Sequence, residues 1–395
     1  MRFIDTVAIT GKRLLIRVDY NVPMEGGVIK DDNRIRASLP TLQWALDKGC
    51  ALVLCSHLGK PKGKVEPGLS LAPVARHLAG LLGREVLMAP DCIGDATKAM
   101  IEGLQPGQIL MLENLRFHAG EKKNDPDFCK ALAAGVQGYV NDAFGVSHRA
   151  HGSVVGVLDH IALCCGGLLL KKEWEYLGEA LKAPTHPFVA IIGGAKVSSK
   201  LGILYALLDK VDRILIGGAM ANTFLKAQGY EVGRSLVEDD LLDQALSIMA
   251  KANDKGVSLY LPVDCILGDG PKGEVTQGVC PYQDVPKDEM ILDIGPATSA
   301  LFAEGIRDAA TLVWNGPMGA FENKAFSQGS FNLAMGVAQS EALTIVGGGD
   351  TDAIIHTLNI QDRISFISTG GGSFLEFLEG KELPGFKALL DKEKI

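Results

Sequence analysis

Short apolar runs that stop abruptly at glycine or at a hydrogen-bonding side chain recur along this chain and constrain its fold more than any other feature. In the first half they read LLIRVDYN (14–21), LVLCSH (52–57), QILMLENLR (108–116) and GYVNDAFG (138–145). In the second half they read FVAIIGGAK (188–196), RILIGG (213–218), MILDIGP (290–296), TLVWNGP (311–317), LTIVGGGD (343–350) and ISFISTGGG (364–372). A parallel strand covered by helices on both faces must be apolar throughout. The runs alternate with helical patterns such as ASLPTLQWALDKG (37–49), LAPVARHLAGLLG (71–83) and DDLLDQALSIMAKA (239–252). That alternation predicts an α/β chain of parallel sheets with helical crossovers. Ligands of such sheets gather outside the carboxyl ends of the strands, and here those ends carry Arg, His, Asp and Gly. The expectation is an enzyme, or at least a binder of small anions.

At 395 residues the chain exceeds one ordinary core and suggests two or three domains. Between the two sets of runs lies GGLLLKKEWEYLGEALKAPTHP (166–187), where Leu170, Trp174, Leu177 and Leu181 share one helical face and Pro184 and Pro187 stop the helix. This predicts a first domain over 1–168, a linker helix over 169–186 and a second domain over 187–378. The net charge of −8 speaks against general nucleic-acid binding. The charge is uneven: residues 1–170 hold 19 Lys and Arg against 17 Asp and Glu, together with six of the eight histidines. No stretch approaches the ~18 apolar residues of a membrane span, and the N-terminus does not read as a signal peptide. The eight cysteines show no CxxC spacing and are expected to be reduced thiols of a cytoplasmic protein.

In the first half, Asp19 and Asn21 follow an apolar run, offering groups for hydroxyl ligands. Arg34 and Arg36 stand just ahead of a helical pattern, His57 and Lys60 flank the turn at Gly59, Arg116 follows ENL, and Arg149 lies in SHRAH. Arginine suits a bidentate grip on carboxylate or phosphate. One such cation alone is an ordinary surface charge, but cations at four separate strand exits predict a site for a polyanionic substrate.

In the second half, GGAKVSSK (193–200) sets two glycines ahead of Lys196 and Lys200 where a strand should become a helix. Helix-start amides attract phosphate, and lysines four apart are expected to face one anion from a single helical face. GGGDTDAI (347–354) repeats the device with Asp350, whose lone carboxylate beside a phosphate loop suits Mg²⁺. STGGGSFLEFLEG (368–380) is a third glycine turn entering a helix. Neither GxxxxGK[ST] nor a strand-following GxGxxG occurs, which disfavours a P-loop NTPase and a nicotinamide dehydrogenase.

Taken together, RVDYNVP (17–23), RIRASLPT, SHLGKP, LENLRFH, NDAFGVSHRAH, GGAKVSSKL, NGPMGAFE, GGGDT, STGGG and LEGKELPG (378–385) resemble the phosphoglycerate kinase family in order along nearly the whole chain. The resemblance implies two Rossmann-like lobes facing a central cleft, the first for 3-phosphoglycerate or 1,3-bisphosphoglycerate and the second for Mg-ADP or Mg-ATP, with a tail (379–395) returning to the first. It implies a monomeric glycolytic phosphotransferase with a carboxyl group as acceptor, working by direct in-line transfer on hinge closure. Asp19, Asn21, Arg34, His57, Lys60, Arg116 and Arg149 would then bind the glycerate substrate. Arg34, Lys196 and Gly371 would serve the transferring group. Gly194, Lys200, Gly295, Asn315, Glu322, Gly348, Gly349, Asp350 and Thr351 would bind the nucleotide, with Asp350 on the metal. Lys60 stands where the family commonly has Arg, and Ser373–Phe374 replaces a smaller pair.

Overall fold

A computed structural model describes residues 1–179 and 182–394. The chain forms two compact units, Met1–Glu175 with Glu382–Ile395, and Tyr176–Lys381.

The strands of the first unit are β1 (Arg13–Val18), a small hairpin of β2 (Met24–Glu25) and β3 (Val28–Ile29), β4 (Ala51–Cys55), β5 (Leu87–Met88), β6 (Ile109–Met111), β7 (Gly138–Asp142) and β8 (Cys164–Gly166). Six of them make a parallel sheet in the order β5-β6-β4-β1-β7-β8. β4 and β7 are buried at every position, as strands covered on both faces must be. The register sets Arg17 opposite Cys55 and Val18 opposite Asp142. The exits of the central strands therefore share one edge. The helix Asn33–Asp47 buries Ile35, Leu42, Ala45 and Leu46 against this sheet. The C-terminal helix Pro384–Glu393 packs on the same unit: Gly385 donates its amide to the Ser147 carbonyl, and Phe386 stacks on Phe144 with its edge to Trp174.

The second unit holds β9 (Phe188–Ile192), β10 (Arg213–Ile216), β11 (Ser258–Tyr260), β12 (Asp264–Gly268), β13 (Val275–Pro281), β14 (Met290–Ile294), β15 (Thr311–Asn315), β16 (Leu343–Gly347) and β17 (Phe366–Ser368). A second six-stranded parallel sheet runs β11-β10-β9-β15-β16-β17. The run MILDIGP, expected as a parallel strand, is instead β14 of a three-stranded antiparallel sheet, β13-β12-β14. Its inner residues Leu292, Asp293 and Ile294 are buried, as residues of a parallel strand are. Apolarity alone therefore did not reveal its direction.

The helical stretch joining the units covers Leu168–Glu173 and continues as a wider π-type turn over Trp174–Glu179. Residues 182–187 are non-helical, so the predicted range 169–186 overruns the helix, and Leu181 lies outside the described residues. Among the described residues no helix is long and apolar enough to cross a membrane.

Candidate functional site

In the first unit, the loops leaving β1, β4, β6 and β7 bring their polar side chains to one sheet edge. Arg34, in the first turn of Asn33–Asp47, donates from Nη1 to Asp19 Oδ2 and to the Asn21 carbonyl, each at 3.2 Å. Asn21 Oδ1 accepts the Gly59 amide at 2.8 Å, and the Gly59 carbonyl accepts from Arg116 Nη1 at 2.7 Å. Gly59 has φ +62°, a left-handed turn that favours glycine. His57 Nδ1 stands 3.1 Å from Arg17 Nη2 and 3.8 Å from Asp19 Oδ1. Arg36 faces elsewhere, paired with Asp32. Arg149 is exposed, and its charge acts on Arg116, His148 and His151. Lys60 is exposed after Gly59.

The electrostatics of this edge are those of an anion cradle. Burial, reinforced by Arg17, Arg116 and Arg34, holds His57 well below its ordinary pKa. Burial and the neighbouring arginines push His148 and His151 each down to about 4. These imidazoles are neutral near pH 7, so the positive charge belongs to the arginines. Arg116 is only 8% exposed, and burial followed by the charges of Arg17 and Arg149 lowers its pKa. Its buried Nε has no hydrogen-bond partner among the described residues. An unsatisfied buried N–H is costly.

Arg17, only 1% exposed, escaped the sequence reading because it lies inside the apolar run of β1. Its Nε donates to Ser153 Oγ at 2.8 Å, and Ser153 donates through Oγ and its amide to the buried carboxylate of Glu121. A charge inside an apolar run was the only hint, and it named neither a partner nor a spacing.

In the second unit, registers Ile192↔Asn315, Trp314↔Val346 and Gly347↔Ser368 align the exits of β9, β15, β16 and β17. Gly348 (φ +102°) precedes the helix Gly349–Thr357, and Gly370 precedes Gly371–Leu378. The opening amides of each helix have no intrahelical acceptor. Asp350 is exposed in the first turn, and its charge acts on Lys200. Asn315 donates from Nδ2 to the Gly347 carbonyl at 2.6 Å and accepts from Lys200 Nζ at Oδ1. Burial pushes Lys200 down to about 8, opposed by Asp350.

One expectation needs correction here. Lys196 and Lys200 do not share a helical face. The chain turns over residues 197–200 and its helix begins only at Leu201, leaving Lys196 exposed and Lys200 9% exposed. Thr351 is wholly buried, and its Oγ1 accepts the Gly316 amide at 2.8 Å, so this hydroxyl ties two loops together. Gly295 is buried at the start of Pro296–Ile306, where Asp264 already accepts from the amides of Ala297 and Thr298 at 2.9 and 2.7 Å. The Phe374 substitution has a packing counterpart, since a Cβ on Gly347 would lie 2.5 Å from its ring.

Beside the glycine turns lies a cavity of about 220 Å³. Leu225, Leu236, Met290 and Met318 line its apolar part, and Gly194, Glu322 and Asp350 also border it. A flat apolar slot next to helix-start amides suits a nucleotide, with base and phosphates in chemically distinct places.

The phosphoglycerate kinase family model matches residues 4–381. The chain belongs to the phosphoglycerate kinase family. It is 58% identical over 394 residues to a phosphoglycerate kinase from Maridesulfovibrio salexigens, with 98% of this chain and 99% of that protein covered. A solved structure of phosphoglycerate kinase from Coxiella burnetii superposes with a TM-score of 0.88 at 45% identity, covering 98% of each chain. A second, from Pyrococcus horikoshii, gives 0.89 at 31% identity over the whole of both chains. Like its phosphoglycerate kinase relatives, the chain is an enzyme, a glycolytic kinase.

Proposed function

We propose that the chain transfers a phosphoryl group reversibly between the acyl phosphate of 1,3-bisphosphoglycerate and the β-phosphate of ADP, giving 3-phosphoglycerate and ATP. Arg116 carries this reading: a largely buried guanidinium at the strand exits, its charge crowded by Arg17 and Arg149, which an anionic ligand would offset. Arg116, Arg149, His57 and Lys60 are assigned to the 3-phosphate. Asp19, Asn21 and Arg34 take the glycerate hydroxyl and carboxyl end. The apolar slot and the turns at 348–351 take the nucleotide, with Glu322 available to accept from ribose hydroxyls.

The attacking oxygen of ADP is already anionic, so the step needs neither a general base nor a covalent intermediate. Catalysis then rests on positioning and on charge stabilisation. Arg34, Lys196 and the amides of Gly370–Gly372 would share the charge of the transferring group. Asn315 holds Lys200 toward the nucleotide phosphates. The donor chemistry fits Mg²⁺, because one exposed carboxylate beside helix-start amides would leave most of the ion's shell to phosphate oxygens and water. Held by Asp350, the ion would neutralise charge on the phosphates.

The ligands are assigned to different units, so transfer requires a movement that unites them and excludes water. The wide turn at Trp174–Glu179 is our proposed hinge, since such turns concentrate at functional positions. The test is a coupled assay with 3-phosphoglycerate and Mg-ATP. ADP release that requires both substrates is expected, whereas ADP release indifferent to 3-phosphoglycerate contradicts the reading.

A further inference from the structure

Away from the residues assigned to either ligand, three side chains of different donor type converge. The loop after β5 supplies Asp91 and Cys92, and the residue after the short turn Leu115–Phe117 supplies His118. A carboxylate oxygen, the thiol sulfur and an imidazole nitrogen all lie within 4.8 Å of one another. The arrangement is braced. His118 Nε2 is 2.8 Å from Asp91 Oδ1, the same oxygen accepts the Cys92 amide at 2.6 Å, and the Asp91 carbonyl accepts from Thr97 Oγ1 at 3.0 Å. Cys92 is buried, while Asp91 and His118 keep partial exposure, so the cluster has a closed thiol side and an open side.

From this juxtaposition we propose that Asp91, Cys92 and His118 form a binding site for a soft divalent transition-metal ion, of which Zn²⁺ is the representative. Tetrahedral Zn²⁺ holds sulfur at about 2.3 Å and nitrogen or oxygen at about 2.0–2.2 Å. Its ligand atoms therefore stand roughly 3.3–3.6 Å apart, so the 2.8 Å His118–Asp91 pair opens while the wider separations close, adjustments that side-chain rotation can supply. One thiolate, one imidazole and one carboxylate select zinc, cobalt or copper over Mg²⁺, which prefers oxygen alone. The fourth position faces the open side and takes water. The site is chemically distinct from Asp350 and does not depend on the kinase reading. Its consequence is mechanical: an ion there joins the loop after β5 to the segment that carries Arg116, two residues before His118.

Cobalt titration of the intact chain tests the site without recourse to activity. We expect one equivalent of Co²⁺ to produce a thiolate-to-metal absorption band that Zn²⁺ abolishes and excess Mg²⁺ leaves in place. The band should vanish in Cys92→Ser and in His118→Ala and survive in Cys50→Ser, a buried thiol elsewhere in the unit. If Cys92→Ser fails to fold, His118→Ala decides, because that side chain is partly exposed. No band in the wild-type chain overturns the proposal, and so does a band that persists in His118→Ala.

Discussion

Two lysines in the second unit have been given different work by their burial. Lys196 is exposed and free to reach a transferring phosphoryl group, whereas Lys200 is buried against Asn315. Replacing Lys196 by Ala is expected to lower kcat ~10²–10³-fold, the usual cost of removing one such contact; turnover near the wild-type rate would refute its role. Lys200 has a pH signature. Its pKa of about 8 in the free chain means that it is charged below pH 8 and neutral above. Bound phosphate favours the charged form, so binding above pH 8 must take up a proton. ADP affinity measured by calorimetry should therefore fall as pH rises beyond 8, by roughly tenfold per unit at the limit for one proton. A flat profile from pH 7 to 9.5 would contradict it. Most of the polar side chains that gather at the first unit's strand exits could be read from the sequence. Arg17 could not, because a single charge inside β1 carries no spacing pattern, and only the fold reveals that it faces His57 and Ser153.

Among the elements, the turn between β16 and its helix is tightly specified. Gly348 has φ +102°, and a Cβ there would lie 2.7 Å from Asn315 Nδ2. Gly348→Ala is expected to displace Asn315, and with it Lys200, raising KM for the nucleotide at least about tenfold, the equivalent of ~1.4 kcal/mol of lost binding. KM for 3-phosphoglycerate should hold. Equal changes in both constants would point to general unfolding instead. Glycine runs made these turns legible in the sequence, since few residues besides glycine adopt such dihedrals. Other local readings failed for identifiable reasons. GGAKVSSK has the spacing of a helix start, yet the chain spends residues 197–200 in a turn, and spacing does not register that delay. β14 is apolar because its inner residues are buried, but burial does not encode whether a neighbour runs parallel or antiparallel.

For the molecule as a whole, the alternation of apolar runs and amphipathic segments sufficed for two parallel sheets, because that periodicity is imposed by burial on both faces. Boundaries were less accessible. The division into units falls at Glu175–Tyr176, inside the helical stretch rather than at the prolines. The return of Pro384–Glu393 to the first unit rests on contacts with Ser147, Phe144 and Trp174, all distant in sequence. Local pattern contains no record of such contacts, and here only the family resemblance anticipated them. The central claim, that a cationic edge holds the phosphorylated acid while glycine turns hold the nucleotide, is tested most directly by a crystal structure of the chain with 3-phosphoglycerate and Mg-ADP. The account predicts a phosphate oxygen within hydrogen-bonding distance of the Arg116 guanidinium and the ADP phosphates on the amides of residues 348–351. A 3-phosphoglycerate bound away from Arg116, or an ADP bound away from those amides, would contradict it.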